Sequence, residues 1–283
     1  MVLFRKRNDL EKWLEKQRLR GLHIGFVPTM GALHEGHSSL IRAARADQGI
    51  VVCSIFVNPT QFNDPKDFEK YPITTGPDIQ RLLADGCDAL FLPAVSEIYP
   101  EQDDPIPHYD LGFLETLLEG SFRPGHFQGV CRVVEKLLKI VGPDSLYLGQ
   151  KDYQQCMVIS RLVEIMDQKE DIRIVICPTL RESDGLAMSS RNMRLSTSQR
   201  KTAVEIYNML SMLKHELKPG PLSGLLSKAN LQLEAAGFRI DYISLADAYN
   251  LSPVDNWDGQ QHTVALVAAF LGEIRLIDNM VLT

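Results

Sequence analysis

A chain of 283 residues, 45% hydrophobic and 23% charged, is long enough for one large domain or two smaller ones and too apolar for extended disorder. Its formal net charge of −6 argues against a DNA or tRNA groove, which needs a basic surplus. No apolar run reaches the roughly 20 residues of a membrane span, so the reading is no nucleic acid and no membrane.

Met1 to Arg20 reads as one amphipathic helix with Leu10, Trp13, Leu14 and Leu19 on one side. It lacks an apolar stretch followed by a cleavage site, so the expectation is a cytoplasmic protein without a secretory signal. His23–Pro28 is a short strand, then a Gly-containing loop leads into a helix from about His37 to Asp47. Ile50–Val57 is a β-branched run suited to a buried parallel strand. A helix over Asp78–Asp85 and a strand at Ala89–Leu92 follow. Gly129–Val141 carries Val130, Val133, Val134, Leu137, Leu138 and Val141 at helical spacing. Ser145–Leu148 is a strand, Gln154–Met166 a helix and Ile172–Cys177 a strand. This alternation predicts an α/β, Rossmann-like parallel sheet with helices on both faces over residues 1–178, with ligands at the carboxyl ends of its strands.

The pattern changes after Pro178. Thr197–Leu217 and Pro221–Ala236 read as helices, and Asp241–Leu245, His262–Leu271 and Arg275–Leu282 as strands. Gly272-Glu273 supplies a tight turn between the last two. Residues 179–283 are therefore expected to form a smaller C-terminal α+β domain. The five cysteines, at 53, 87, 131, 156 and 177, are odd in number, lack Cys-x-x-Cys spacing and sit in apolar segments. Buried, reduced thiols fit that usage.

The strongest chemical signal is the string Val27-Pro28-Thr29-Met30-Gly31-Ala32-Leu33-His34-Glu35-Gly36-His37, which leaves a strand and enters a helix. A loop so placed offers backbone N–H groups and the positive end of the helix dipole to phosphate. His34 and His37 lie three apart, so their imidazoles face the same way on a helical turn. Such a pair of donors suits a phosphoryl or nucleotidyl transition state. The zinc-protease motif is excluded, because its histidines stand four apart.

This His-x-Gly-His string resembles the signature of the nucleotidylyltransferase superfamily. Together with Ser54-Ile55-Phe56-Val57-Asn58-Pro59-Thr60-Gln61-Phe62, it is similar to the pantoate–β-alanine ligase family within it. Arg123-Pro124-Gly125-His126-Phe127, Gly149-Gln150-Lys151-Asp152-Tyr153-Gln154-Gln155, Arg181–Arg191 and Arg275-Leu276-Ile277-Asp278-Asn279 extend the resemblance over nearly the whole chain. What it implies is condensation of pantoate with β-alanine, driven by Mg-ATP, through a pantoyl adenylate.

The resemblance also implies residue roles. Met30, Gly31, Ala32, Leu33, His34, Glu35, Gly36 and His37 would wrap ATP, with His37 as proton donor. Gly149, Gln150, Lys151 and Asp152 would meet phosphate and ribose. Leu180 would offer backbone to adenine, and Met188, Ser189, Ser190 and Arg191 would clamp the β- and γ-phosphates. Catalysis would rest on His34, His37, Lys151 and Arg191. Gln61 and Gln155, supported by Asn58, would hold pantoate and lie near β-alanine. Asp78 is the candidate Mg²⁺ contact and could equally cap the helix that follows it. The family's frequent Glu, Arg and acid are replaced here by Gln150, Ile73 and Pro77. The C-terminal domain would act as a lid, and a homodimer is expected. Another His-x-Gly-His adenylyltransferase, a tRNA-synthetase relative and a non-catalytic nucleotide binder are the alternatives.

Overall fold

The computed structural model describes residues 1–47, 49–63, 68–69, 71–100 and 107–283. Its contacts divide the chain into two compact units. The first comprises residues 1–149 and 158–178, the second residues 150–157 and 179–283.

The first unit is built on six parallel strands: β1 (Val2–Phe4), β2 (Ile24–Thr29), β3 (Ile50–Ile55), β4 (Ala89–Phe91), β5 (Ser145–Gly149) and β6 (Arg173–Cys177). Their order is β1-β4-β3-β2-β5-β6. The order reverses between β2 and β5, the switch point at which doubly wound sheets open a crevice for ligands. Phe26 and Val27 are successive residues of β2, point to opposite faces, and are both 0% exposed, so both faces are covered. One cover is the helix Glu35–Asp47, whose Leu40, Ile41 and Ala44 pack on Val27, Val51 and Cys53. Every residue of β3 is buried, as its β-branched run predicts.

Two details of this unit differ from the sequence reading. The N-terminus is not one helix: Val2–Phe4 joins the sheet edge beside Ala89–Phe91, and the helix runs only from Arg7 to Arg18. Leu19 lies beyond its last turn and is 82% exposed, so it is not part of the apolar side. The helix expected from Gly129 starts at His126, entered through Gly125 at φ 78°.

The second unit holds a three-stranded antiparallel sheet of β8 (Arg239–Asp247), β10 (Thr263–Leu271) and β11 (Ile274–Val281), ordered β11-β10-β8. A turn at Gly272 (φ 60°) joins β10 to β11. Ile206, Met209, Leu210 and Leu213 of the helix Glu205–Glu216, with Ala229 and Leu233 of the helix Ser223–Ala235, share a core with Ala265, Val267 and Ala269 of β10. The single helix expected over Thr197–Leu217 is two, Thr197–Thr202 and Glu205–Glu216, with the chain turning at buried Ala203. Gly220–Pro221 pairs with Asn256–Trp257 as a two-residue ribbon (β7 and β9).

All five cysteines are free and buried, and burial pushes the Cys87 and Cys131 thiols up to about 12, so they are inert. Among the described residues no helix is long and apolar enough to cross a membrane.

Candidate active site

The loop after β2 is fastened at every step. The Thr29 hydroxyl donates to the Ser54 carbonyl at 2.7 Å and accepts from the Gly31 N–H at 3.3 Å. Gly31 (φ 84°) and Ala32 (φ 50°) then turn the chain through left-handed conformations. A side chain on Gly31 would be strained, and its Cβ would lie 3.1 Å from Ile55 and 3.2 Å from the Asp78 carboxylate.

Asp78 is 2% exposed and sits in the helix Thr75–Ala84. Its carboxylate accepts from the Ala32 N–H at 3.0 Å, the Leu33 N–H at 2.8 Å and the Thr74 hydroxyl at 3.0 Å. Asp78 does not cap the helix in which it lies. It anchors the loop more than forty residues upstream, with both oxygens committed to protein donors.

The next helix begins with a reciprocal cap made of two imidazoles. His34 occupies the N-cap position, and its Nδ1 accepts from the Gly36 N–H at 3.2 Å. His37, three residues on, returns its Nδ1 to the His34 N–H at 3.2 Å. This is the logic of a capping box, with histidines in place of Ser and Glu. A ring nitrogen that accepts carries no proton, so each neutral imidazole holds its hydrogen on Nε2. The rings lie 4.1 Å apart at 48°, both half-buried.

The loop therefore differs from the sequence reading in one respect. The N–H groups of Gly31, Ala32, Leu33, His34 and Gly36 are not held open for phosphate; each meets a side-chain acceptor. The loop instead brings two imidazoles together at the positive end of the helix dipole. Glu35 faces elsewhere, pairing with Arg42 and, at 3.0 Å, with Arg81. The Arg42 hydrogen bond holds its carboxyl below the usual glutamate range.

Asn58 and Gln61 stand on the turn after β3. Asn58 is 1% exposed, and its amide accepts from Tyr99 (2.9 Å) and Thr60 and donates to Gln61 Oε1 (3.2 Å) and the Gly129 carbonyl (3.1 Å). Gln61 in turn donates to the Met30 sulfur at 3.1 Å, joining this turn to the histidine loop. His126 and Arg123 hold it from behind. A carbonyl can only accept, so His126 Nδ1–H donates to the Gln61 oxygen at 2.8 Å while its Nε2 faces Arg123 at 3.1 Å. Gly129 lets the helix His126–Val141 press against the same turn, since a Cβ there would lie 2.2 Å from the Thr60 carbonyl. The sequence marks Arg123 and His126 only as part of a family-like string and Gly129 only as a helix residue, with no sign that they meet this turn.

In the second unit, the turn Gln150–Asp152 opens the helix Tyr153–Ile165. Lys151 lies 3.8 Å from the exposed Asp152 carboxylate, and Gln155 is half-buried one turn on. Both backbone carbonyls of Gln150 and Lys151 accept from Asn279 of β11, at 2.9 and 2.8 Å. Leu180 and Met188 are brought together by a 3.0 Å backbone bond. Ser189 caps the turn Ser190–Arg194 by accepting from the Arg191 N–H at 3.3 Å. Arg181 enters this loop and forms a bidentate pair with buried Asp278, at 2.6 and 3.1 Å. Burial pushes the Asp278 carboxyl up, and the guanidinium opposes it.

Among the described residues, then, Met30–His37, Asn58, Gln61 and Asp78 form one constellation. Gln150–Asp152 and Leu180 with Met188–Arg191 form two others that meet through Asp278 and Asn279. The sequence model of the family described as pantoate-beta-alanine ligase matches residues 2–281. The chain belongs to that family. It is 42% identical over 282 residues to the pantothenate synthetase of Porphyromonas gingivalis W83, covering 99% of each chain. The crystal structure of pantothenate synthetase from Thermus thermophilus matches with a TM-score of 0.89 and 37% identity, over 100% of this chain and 99% of that one. A pantoate-beta-alanine ligase from Francisella tularensis, complexed with beta-gamma ATP and beta-alanine, matches at TM-score 0.80 and 36% identity over 99% and 97% of the two chains. As a pantoate-β-alanine ligase, the chain is an enzyme that forms a carbon–nitrogen bond, on a six-stranded parallel sheet followed by smaller antiparallel sheets.

Proposed function

We propose that the chain condenses pantoate with β-alanine at the expense of ATP, through a pantoyl adenylate, with the residues named above as its machinery. The observation that carries the proposal is the reciprocal histidine cap, which holds two Nε2–H donors side by side at a helix N-terminus. In this reading a pantoate carboxylate oxygen attacks the α-phosphorus of ATP and pyrophosphate leaves. The β-alanine amine then attacks the acyl carbon, and AMP leaves as the amide forms.

His34 and His37 meet phosphate charge as it develops, with Lys151 and Arg191 as positively charged donors beside them, and fixed donors of this kind act mainly on the transition state. Ser189, Ser190 and the Met188 backbone grip the β- and γ-phosphates, Leu180 offers backbone to adenine, and Gly149, Gln150 and Asp152 serve phosphate and ribose. Gln61 and Gln155 bind pantoate, and Asn58 keeps Gln61 in place. Mg²⁺ enters as part of the Mg-ATP substrate. Both oxygens of Asp78 already accept hydrogen bonds from protein donors, so Asp78 is assigned to the loop. Residues 1–178 serve as the nucleotide- and pantoate-binding domain, although residues 150–157 group by contact with the second unit, and residues 179–283 as the lid domain of a cytoplasmic homodimer.

Labelled pyrophosphate tests the mechanism directly. With pantoate and Mg²⁺ present and β-alanine withheld, it should exchange into ATP. With β-alanine added, pantothenate and AMP should appear in equal amounts. ADP and inorganic phosphate as products, without exchange, would sink the adenylate route.

A further inference from the structure

The string Arg275–Asn279 has no part in the reaction just described, yet its last residue makes an unusual set of contacts. Asn279 lies on β11, opposite Leu266 of β10, and is 2% exposed. Its side chain faces two successive carbonyl oxygens, those of Gln150 at 2.9 Å and Lys151 at 2.8 Å. Carbonyls only accept, so the atom that meets them is the amide nitrogen, with one hydrogen for each. The remaining amide oxygen accepts from the Gln150 side chain at 3.2 Å. Asp lacks donors at this position, and Ser or Thr has one where two are needed.

Asn279 is itself fixed. Its N–H donates to the Asp278 carboxylate at 2.8 Å, and its carbonyl accepts from Arg181 at 3.1 Å. Asp278 and Arg181 form a bidentate pair, the fork geometry that tolerates little rotation. A rigid strand thus grips the backbone from which Lys151 projects, from 128 positions away in the chain. Lysine has a long, flexible side chain, so where its Cα is held decides which positions its ammonium can reach.

We propose that Asn279 is a positioning residue that acts through Lys151, by clamping the carbonyls of residues 150 and 151. The proposal rests on the reading of Lys151 as a catalytic group.

A double-mutant cycle on the full chain separates the two. Asn279→Asp and Asn279→Ala are each made alone and combined with Lys151→Ala, and kcat, KM for ATP and thermal midpoint are measured. Either single Asn279 variant should lower kcat roughly 10- to 100-fold, the scale of an ångström-size misplacement, while KM for ATP moves much less. In the Lys151→Ala background the same change should lower kcat less than about threefold, since the group it positions is gone. Equal factors in both backgrounds would overturn the proposal and leave Lys151 standing. Near-normal kcat for Lys151→Ala alone would remove the catalytic reading and this inference with it. Failure of both Asn279 variants to fold would assign the residue to stability and overturn its positioning role.

Discussion

The loop after β2 and the turn after β5 both leave the carboxyl end of a strand, and they are immobilised in opposite ways. In the histidine loop the protein supplies acceptors: Asp78, Thr29 and the two imidazoles take backbone N–H groups. In the Lys151 turn it supplies a donor, and Asn279 takes backbone carbonyls. The loop's grips are mostly local, within three residues, with one remote carboxylate 45 and 46 positions away. The turn depends on a residue 128 and 129 positions away. Each loop thus meets its own backbone needs within the protein, and in the proposed reaction such a fixed backbone keeps the site rigid before substrate arrives.

That contrast can be broken most severely at His37, which serves both the cap and the proposed chemistry. His37→Ala should lower kcat about 10²- to 10³-fold, as the loss of one preorganised donor does. The missing cap bond should cost only about 1 kcal/mol of stability. Steady-state kinetics beside urea unfolding tests both parts, and an unchanged kcat would take His37 off the catalytic list.

Asp78→Asn comes next. It keeps the shape and places an amide hydrogen against the Ala32 or Leu33 N–H, leaving a buried donor unmet. The expected cost is about 2–3 kcal/mol in urea unfolding, with a raised KM for ATP as the loop loosens. A cost below about 0.5 kcal/mol, the range of ordinary surface substitutions, would show that the local caps hold the loop without it.

Glu35→Gln sharpens the comparison from the other side, because Glu35 sits inside the motif but points at arginines. Its carboxylate is 44% exposed, so the substitution should cost less than about 1 kcal/mol and leave kcat intact. The Arg42 hydrogen bond lowers the Glu35 pKa, so its contribution is complete above the ordinary glutamate range and fades as pH falls through the lowered value. Wild type and variant should converge in stability in acid. A gap that persists there would mean that the pair is held by something other than charge.

Much of the fold is legible in the sequence where one element declares itself. The β-branched run at Ile50–Val57 and the helical spacing from Val130 to Val141 are local signals, and the strand Ile50–Ile55 and the helix His126–Val141 fall on them. Val2–Phe4 is not legible in this way: three residues become a strand only because Ala89–Phe91 offers an edge. The site divides along the same line. The strings identify the family, and His34 and His37 lie side by side as their spacing suggests. The grips are hidden because their partners are remote. Nothing near Asp78 shows that its acceptors serve Ala32 and Leu33, nor does anything near His126 show that it holds the Gln61 carbonyl. Spacing within a segment reports which face a side chain shares; it does not report which distant backbone will come to meet it.

The contact between Gln61 and Met30 bears on the pantoate-binding role proposed for Gln61. The Gln61 amide rests on a thioether, which is among the weakest acceptors that a side chain can offer. The sulfur works as a placeholder. It keeps the amide pointed into the turn, and in the proposed role of Gln61 a pantoate carboxylate or hydroxyl is the stronger acceptor, which displaces the sulfur at small cost. A conventional oxygen acceptor at residue 30 would hold Gln61 just as still, and would compete with every molecule that came to claim it.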